Sequence, residues 1–517
     1  MTRFGFLIDQ DTCIGCHACT VACKAEHDVP LGVNRTWVKY IEKGTFPDAR
    51  RFYSVLRCNH CDNAPCVTIC PTTALFRRSD GIIDFDDSRC IGCKSCMNAC
   101  PYDAIYINPE TQTAHKCNFC AHRVEQSLEP SCVIVCPTQS IVAGDLDDPT
   151  SRIAITLARH GTMVRAPEQG TQPKVFYKGA DEAALDPLRT EIAADGMIWA
   201  DTRPGHPTRP ALRWGSARHD RAEVVARTAY TTEHPPPWKA KVAAYLATKA
   251  VSAGALLVGA LLVLTGHADE RALVGIAAPV VALVLVAVTG ALLVADLRQP
   301  RRFHLIFLRP QWRSWLVRGA LILLAYGASA TVWLIGGLLD RPGVVQAVAL
   351  PAALLAAGSA GYTAFLFGQC EGRDLWQTPL LLPVLLAQAV AAGAGALLVL
   401  APFFDAGDDV TTTLLWALAG GTAGLLALLA VELTSRGTAA VELALAVMTR
   451  GEHAGVFWAV GVGVGMIVPL ALAVIGLLGA DATVGTALTV TAGVAVLAGL
   501  YSYEDAFVRA GQAVPLS

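Results

Sequence analysis

The chain changes its hydrophobic pattern near residue 240. Beyond that point, apolar runs of about 20 residues recur, the length that crosses a hydrocarbon core of roughly 30 Å. Helices buried in a large soluble protein are the alternative, but they would need a polar stripe, which these runs lack. The pattern predicts an all-α polytopic membrane domain with about eight spans: 243–265, 273–295, 315–338, 345–368, 379–401, 411–432, 455–479 and 483–503.

The residues before 240 contain shorter apolar stretches that lead into cysteine-rich loops. Residues 4–9 and 81–85 are two such stretches, and their lengths predict strands. The order strand, loop, short helix, strand repeats along this part of the chain. Residues 146–238 are instead interrupted by Pro and Gly, and the Pro-rich segment 234–238 predicts a stiff entry to the first span.

Charge and cysteine content sharpen this division. Of the charged side chains, 55 lie in residues 1–240 and 29 in residues 241–517, whereas 16 of the 17 cysteines lie in the first part. The formal net charge of −2 excludes a basic nucleic-acid-binding protein. An apolar content of 53% excludes a disordered chain. The composition therefore predicts a soluble, cysteine-rich half joined to a membrane half.

The sixteen cysteines form four runs of four. The first and third runs have the spacing C-x2-C-x2-C-x3-C, the second has four residues in its middle gap, and the fourth has eleven. Three cysteines of such a run ligate one cluster, and the fourth ligates the other cluster of a two-cluster module. Only 19 residues separate the second run from the third, so these two form one pair, and the first and fourth form the other by elimination.

This pairing predicts four [4Fe-4S] clusters. The ligand sets are set 1 (Cys13, Cys16, Cys19 and Cys136), set 2 (Cys117, Cys120, Cys132 and Cys23), set 3 (Cys58, Cys61, Cys66 and Cys100) and set 4 (Cys90, Cys93, Cys96 and Cys70). Structural zinc also uses C-x2-C pairs, but not three-cysteine runs closed by C-x3-C-P. Disulfides are disfavoured because we expect a cytoplasmic location. Lys24, Lys94, Lys116 and Arg123 are candidates for tuning the cluster potentials, with ordinary solvated charge as the alternative.

We therefore expect three units. Residues 1–145 form an α+β domain of bacterial-ferredoxin-like dicluster repeats, residues 146–238 a cap and linker, and residues 239–517 the membrane domain. The first unit has no acid–base or nucleophile constellation, so we expect it to conduct electrons and assign no catalytic residue.

Basic residues predict the orientation of the membrane half. An even number of spans places both of its ends on one side, and the opposite loops hold only Arg271 and Arg341. The cluster-side basic residues are Lys239, Lys241, Lys249, Arg298, Arg301, Arg302, Arg309, Arg313, Arg318, Arg373, Arg436, Arg450 and Arg509. This bias predicts that the cysteine half is cytoplasmic, although docking of that half is an alternative use of the arginines. We also expect no signal peptide, because the metal motif already begins at Cys13.

Both halves resemble known families. The cysteine runs and residues 170–177 (GTQPKVFY) resemble the four-cluster electron-transfer subunit of the DMSO-reductase superfamily. The membrane half resembles the polysulfide-reductase/NrfD-type quinone-reactive anchor. The stretches that carry this second resemblance are 296–303 (DLRQPRRF), 362–363 (YT), Trp376 with Pro379 and Pro383, and 510–512 (AGQ). These two parts are usually separate chains, and here they are fused.

The resemblance implies a subunit of a respiratory molybdopterin oxidoreductase in the plasma membrane. A separate molybdopterin subunit would perform the substrate chemistry, with sulfite or another sulfur compound as the substrate by analogy. The clusters would relay electrons, and the anchor would exchange them with a quinone (menaquinone or ubiquinone) from the membrane lipid. A hydrogenase or another quinone-linked complex is an alternative. A redox-coupled ion transporter is disfavoured because the span centres are almost free of ionisable residues.

Three polar residues predict a quinone site on the cluster side, because ionisable groups at membrane depth are costly and usually functional. Lys249 lies about two turns inside the first span, Asp296 ends the second and Tyr362 lies late in the fourth. The resemblance implies that the tyrosine and the acidic residue are near the quinone. The alternatives are a snorkelling lysine, an Asp296–Arg298 pair and an interfacial tyrosine. Glu432 and Glu504 are expected at the membrane interface, and Cys370 is expected to be structural.

Overall fold

The computed structural model describes residues 2–44, 46–192, 226–452, 454–479 and 482–517. Residues 193–225, which belong to the predicted cap and linker, lie outside the described ranges. The described strands are β1 (Phe4–Asp9), β2 (Thr36–Lys43), β3 (Arg50–Arg57), β4 (Leu75–Arg77), β5 (Ile83–Phe85), β6 (Ile105–Ile107), β7 (Ala114–Lys116), β8 (Ile141–Asp145), β9 (Thr162–Met163), β10 (Val175–Lys178), β11 (Thr190–Ile192) and β12 (Ala226–Tyr230).

The strands form two four-stranded sheets and two hairpins. The first sheet has the order β8-β1-β10-β9, with β1 parallel to β10 and antiparallel to β8. The second has the order β11-β12-β2-β3, so the segment before the first span adds a strand beside β2. The hairpins β4–β5 and β6–β7 follow the second and third cysteine runs. Strands and short helices therefore alternate here, which confirms the predicted α+β class.

The helices of the cysteine half are short and most of them follow the cysteine loops. They are α1 (Ala18–Glu26), α2 (Pro65–Ile69), α3 (Ser95–Ala99), α4 (Ala121–Val124), α5 (Ser131–Ile134), α6 (Arg152–Arg159) and α7 (Glu182–Leu185). The residues before α1 and α3, His17 and Lys94, have the left-handed conformation, with φ of 59° and 65°. This conformation turns the chain sharply and is uncommon outside glycine. The same conformation follows the second cysteine of the first run and of the third run, so the backbone shows the internal repeat.

Within the described residues, eight helices are long and apolar enough to cross a membrane, as predicted. They are numbered as the first to eighth spans: Ala240–Leu264, Arg271–Asp296, Trp315–Leu338, Pro342–Gly368, Leu381–Phe404, Asp408–Thr434, Ala454–Leu477 and Gly485–Ala513. The second and seventh spans include π-helical segments, Arg271–Ala277 and Phe457–Ile467, which apolar periodicity does not predict. The eighth span continues to Ala513, past the predicted end at 503. Its last turns are polar, so the length of the apolar run does not predict them.

The first and fifth spans are the centre of the membrane half. Each is 72% buried over its most apolar part, against 28% for the third span. Their backbones meet at Gly254 and Gly393, where a Cβ atom on Gly254 would lie 1.8 Å from the carbonyl oxygen of Ala389. Only glycine permits this approach, and it fixes the first span, which carries Lys249, against the fifth.

The loop between the second and third spans binds the cysteine half. Arg302 Nη1 donates to the carbonyl oxygens of Asp87 at 2.6 Å and Cys90 at 3.1 Å. Ser314 Oγ donates to the carbonyl oxygen of Ile69 at 2.7 Å. These contacts place set 4 of the cysteines directly on the membrane half.

Residues 512–517 form a second connection between the halves. The side-chain amide of Gln512 accepts from the main-chain N–H of Trp238 and donates to the carbonyl oxygen of the same residue, at 2.9 Å each. Arg373 donates to the carbonyl oxygen of Val514 at 3.0 Å, and Arg165 donates to that of Leu516 at 2.5 Å. The end of the eighth span is therefore bound to both the linker and the cap of the cysteine half.

Candidate electron relay and buried polar site

The structure gathers the sixteen cysteines into neighbourhoods. The cysteines within electrostatic range of one another are Cys13 with Cys16 and Cys136; Cys19 with Cys13, Cys16 and Cys132; Cys23 with Cys117, Cys120 and Cys132; Cys66 with Cys58, Cys61 and Cys100; and Cys96 with Cys66, Cys70, Cys90 and Cys93. Each of these groups combines cysteines of two runs, as the predicted ligand sets require.

Electrostatic interactions between neighbouring sets define a series. They link Cys19 of set 1 with Cys132 of set 2, Cys117 of set 2 with Cys58 of set 3, and Cys66 of set 3 with Cys96 of set 4. Cys16 at one end is exposed, and set 4 at the other end rests on the membrane half. The order is therefore 1, 2, 3, 4 from the exposed surface to the spans.

The donor arrangement fits iron–sulfur clusters better than zinc. Among the described residues, no three His, Cys, Asp or Glu side chains come close enough to hold one metal ion. A zinc site needs its ligands at about 2.0–2.3 Å from a single ion, whereas the thiolates of an iron–sulfur cluster surround a polynuclear core. The thiols of Cys70, Cys90, Cys93 and Cys96 together border one cavity, as such a core requires.

The surroundings of the thiols also suit an anionic cluster. Burial raises the pKa of the Cys61 and Cys93 thiols to about 12, so their thiolates need a positively charged partner such as iron. Main-chain N–H groups donate to cysteine sulfurs, from Ala114 to Cys90 at 3.4 Å and from Leu75 to Cys70 at 3.5 Å. Hydrogen bonds of this kind contribute to the reduction potential of a cluster.

The four basic residues predicted to tune the cluster potentials form ion pairs or hydrogen bonds with oxygen atoms. Lys94 forms an ion pair with Asp296 at 2.8 Å, and Arg123 forms one with Glu26 at 3.2 Å. Lys116 donates to the carbonyl oxygen of Cys117 at 3.0 Å, and Lys24 donates to that of Pro30 at 3.0 Å. Arg57 is a cation that contacts a cysteine sulfur directly. Sequence analysis missed it because the sequence of a strand does not show which groups an arginine side chain will reach.

Lys249 and Tyr362 meet inside the membrane half. Lys249 is 2% exposed, and its Nζ lies 4.5 Å from the centre of the Tyr362 ring. The ammonium donates to the carbonyl oxygen of Ala360 at 3.1 Å and makes a short hydrogen bond to Thr363 Oγ1. Lys249 therefore points into the bundle and does not snorkel to the interface.

Asp296 lies at the junction of the two halves. Its carboxylate pairs with Lys94, the residue after Cys93, and not with Arg298. The structure thus brings Lys249 and Tyr362 together, while the contact found for Asp296 is with the cysteine half.

Two acidic residues belong to the interior, contrary to the expectation from their positions near span ends. Glu504 is 2% and Glu432 is 7% exposed. The Glu504 carboxyl lies within electrostatic range of Lys249. Gln388 and Tyr503 line a cavity between the fifth to eighth spans. Glu504 was missed because the eighth span continues for three further turns beyond its apolar run.

Comparison with known proteins matches both halves. Residues 49–146 and 12–75 each match a family described as a 4Fe-4S dicluster domain. Residues 229–515, more than half of the chain, match the family described as polysulphide reductase, NrfD. These matches confirm the two resemblances drawn from the motifs.

Proteins similar to the cysteine half include subunits of several reductases. A tetrathionate reductase subunit of Salmonella typhimurium is 47% identical over 203 residues, which cover 38% of this chain and 80% of that protein. A polysulfide reductase chain of Wolinella succinogenes is 41% identical over 179 residues, covering 34% and 93%. The arsenate respiratory reductase iron-sulfur subunit ArrB of a Shewanella species is 36% identical over 225 residues, covering 34% and 95%. The similarity extends over most of each of these subunits.

Proposed function

This protein belongs to the NrfD polysulphide reductase family, and on that premise we propose that it links a membrane quinone pool to a separate molybdopterin subunit. It is a multi-pass membrane protein with iron–sulfur dicluster domains. Its relatives are subunits of multi-subunit reductases, so a separate catalytic subunit is its partner. In this proposal the clusters number four, and the partner acts on a sulfur compound.

The series of cysteine sets carries this proposal. Sets 1 to 4 extend from the exposed Cys16 to the junction with the spans. When bound, the clusters supply single-electron carriers that need no proton. Two apolar side chains close to Cys16 in the chain are also exposed, Ile14 by 56% and Val21 by 64%. An exposed thiol among exposed apolar side chains suits the docking of the catalytic subunit at set 1.

The quinone is proposed to bind beside Lys249 and Tyr362. Conversion of a quinone to a quinol takes up two electrons and two protons, so its site needs groups that hold protons as well as access to a cluster. Lys249 can donate to a quinone oxygen, and Glu504 is a buried acid within electrostatic range of Lys249. Asp296 lies at the junction of the two halves, where it pairs with Lys94.

The cysteine half is proposed to lie in the cytoplasm. Some of the cluster-side arginines, such as Arg302 and Arg373, serve the contact between the halves. Arg301, Arg309, Arg313 and Arg436 still give that side an excess of basic residues over Arg271 and Arg341. A phosphatase that is active only outside the cytoplasm tests this orientation. We expect activity when it is inserted after Asp340 and none after Arg436; the reverse result overturns the proposal.

Quinol-dependent reduction of the clusters tests the function itself. The full-length chain in lipid nanodiscs is treated with menaquinol and ubiquinol analogues, and the clusters are followed by electron paramagnetic resonance. We expect one quinol class to reduce the clusters. Iron-replete protein that dithionite reduces but neither quinol reduces would overturn the quinone link. The metal in the co-purified large subunit tests the partner: molybdenum is expected, and nickel would replace the proposal with a hydrogenase.

A further inference from the structure

Arg57 is a buried cation in the outer part of the relay. It is the last residue of β3 and only 1% exposed, and Cys58 of set 3 follows it directly. Successive side chains of a strand point to opposite sides, so Arg57 and Cys58 face different surroundings. The guanidinium lies 4.5 Å from the centre of the Phe6 ring, which covers one of its faces.

The groups around the guanidinium are cysteine thiols of two different sets. Arg57 Nη1 donates to Cys132 Sγ at 3.1 Å. Its strongest charge interactions are with Cys132 and Cys117 of set 2 and with Cys19 of set 1. The guanidinium is therefore positioned where sets 1 and 2 meet.

The charge of Arg57 lacks an ordinary counter-ion. Among the described residues, its Nε and Nη2 atoms have no hydrogen-bond partner, and no carboxylate is among its strongest interactions. A buried cation without a partner is strongly destabilising. The thiolates of sets 1 and 2, with the clusters they hold, supply the missing negative charge.

We propose that Arg57 is a positioning residue that raises the reduction potentials of the clusters in sets 1 and 2. Reduction adds an electron to a cluster, and a nearby positive charge stabilises the reduced form. Arg57 thereby lowers the energy of an electron in the outer part of the relay and favours its movement towards the exposed end. This inference rests on the cluster ligand sets of the proposed function, but not on the quinone.

Redox titration of the full-length chain, followed by electron paramagnetic resonance, tests this role. In Arg57→Gln we expect the potentials of two clusters to fall, while the potential of set 4, identified by the signal that Cys93→Ala removes, stays unchanged. Arg57→Lys keeps the positive charge but places it farther from Cys132, because the lysine side chain is shorter. We therefore expect a smaller fall in the potentials of the same two clusters. Arg50→Gln is the matched control, because Arg50 lies on the same strand as Arg57 but is exposed.

Each outcome decides the question. Arg57→Gln protein with four clusters and unchanged potentials overturns the proposal, as does an equal shift in set 4. If Arg57→Gln loses clusters by iron content, Arg57→Lys decides: a fall confined to two clusters supports the role, and four unchanged potentials overturn it. The titration uses redox mediators and no quinol. Failure of the quinone link therefore leaves this test intact, whereas wild-type protein with fewer than four clusters contradicts the proposed cluster number.

Discussion

The indole Nε1 of Trp238 donates a hydrogen bond to the main-chain carbonyl oxygen of Cys93 at 3.2 Å. Trp238 also stacks on Phe367 and Trp376, with ring centres 5.6 and 5.4 Å apart. Phe367 lies one helical turn after Thr363, which accepts from Lys249. Aromatic side chains therefore connect set 4 to the buried polar site, and this proximity underlies the predictions that follow.

Replacing Cys93 with alanine should remove one cluster and leave three. Cys93 borders the cavity of set 4, and its thiolate has no substitute in the proposed set. Iron analysis and electron paramagnetic resonance of the purified chain measure the loss. Cys370→Ala is the control, because Cys370 is buried and faces Cys93 without belonging to a set. A Cys93→Ala protein that keeps four clusters would disprove the ligand assignment.

Lys249→Met should slow quinol-driven cluster reduction by about tenfold or more, because a hydrogen bond to a charged group contributes about 1.5–3 kcal/mol. Stopped-flow spectroscopy of the cluster absorbance measures the rate, and dithionite should still reduce the variant fully. Lys241→Met is the control: Lys241 lies on the same helix but is exposed and donates to the carbonyl oxygen of Ala295. Equal rates for the two variants would exclude Lys249 from the site.

Glu504→Gln should slow the same reaction and alter its dependence on pH, because the glutamine cannot take up a proton that leaves the quinol. The rate is measured across the pH range, together with the solvent isotope effect in heavy water. Asp505→Asn is the control, since Asp505 pairs with Arg509 at 2.6 Å and is partly exposed. A Glu504→Gln protein with the wild-type pH profile would show that this carboxyl carries no proton in the reaction.

Asp296→Asn should raise the reduction potential of set 4. The substitution removes the counter-ion of Lys94, whose side chain is 7% exposed and adjoins Cys93. The uncompensated ammonium then stabilises an electron on set 4, the same electrostatic effect inferred for Arg57 in the outer relay. Redox titration measures the change, with the KM for quinol expected to stay constant. A raised KM with an unchanged potential would instead assign Asp296 to quinone binding.

Lys39→Met should flatten the pH dependence of stability above pH 7. Burial lowers the pKa of Lys39 to about 7. The unfolded chain, with a lysine pKa near 10.4, binds more protons between these values, so wild-type stability should rise with pH from about 7 to 10. Thermal bleaching of the cluster absorbance measures this rise. The methionine variant should resist heat better at pH 7 and show little further gain; a parallel rise in both proteins contradicts the assignment.

Sequence reasoning succeeded where one local rule governs the structure. The apolar run lengths predicted the eight spans because a hydrocarbon core imposes a minimum helix length. It failed where the outcome depends on distant partners. Lys94 and Asp296 are far apart in the chain, so neither residue indicates the other. The burial of Glu504 could not be predicted from the apolar run, because the helix continues beyond that run. The direction of the Arg57 side chain could not be predicted either, because it depends on the packing of β3 against Phe6 of β1.

The binding of residues 512–517 to Trp238 and Arg165 has a consequence for assembly. When an iron–sulfur subunit and its anchor are separate chains, their association depends on protein concentration. Here a covalent linker holds the halves at a high effective concentration, and residues 512–517 of the same polypeptide close the arrangement into a loop. Separation would require the linker-side and terminal contacts to open together. The edge-to-edge distance that an electron crosses between set 4 and the spans should therefore be independent of protein concentration.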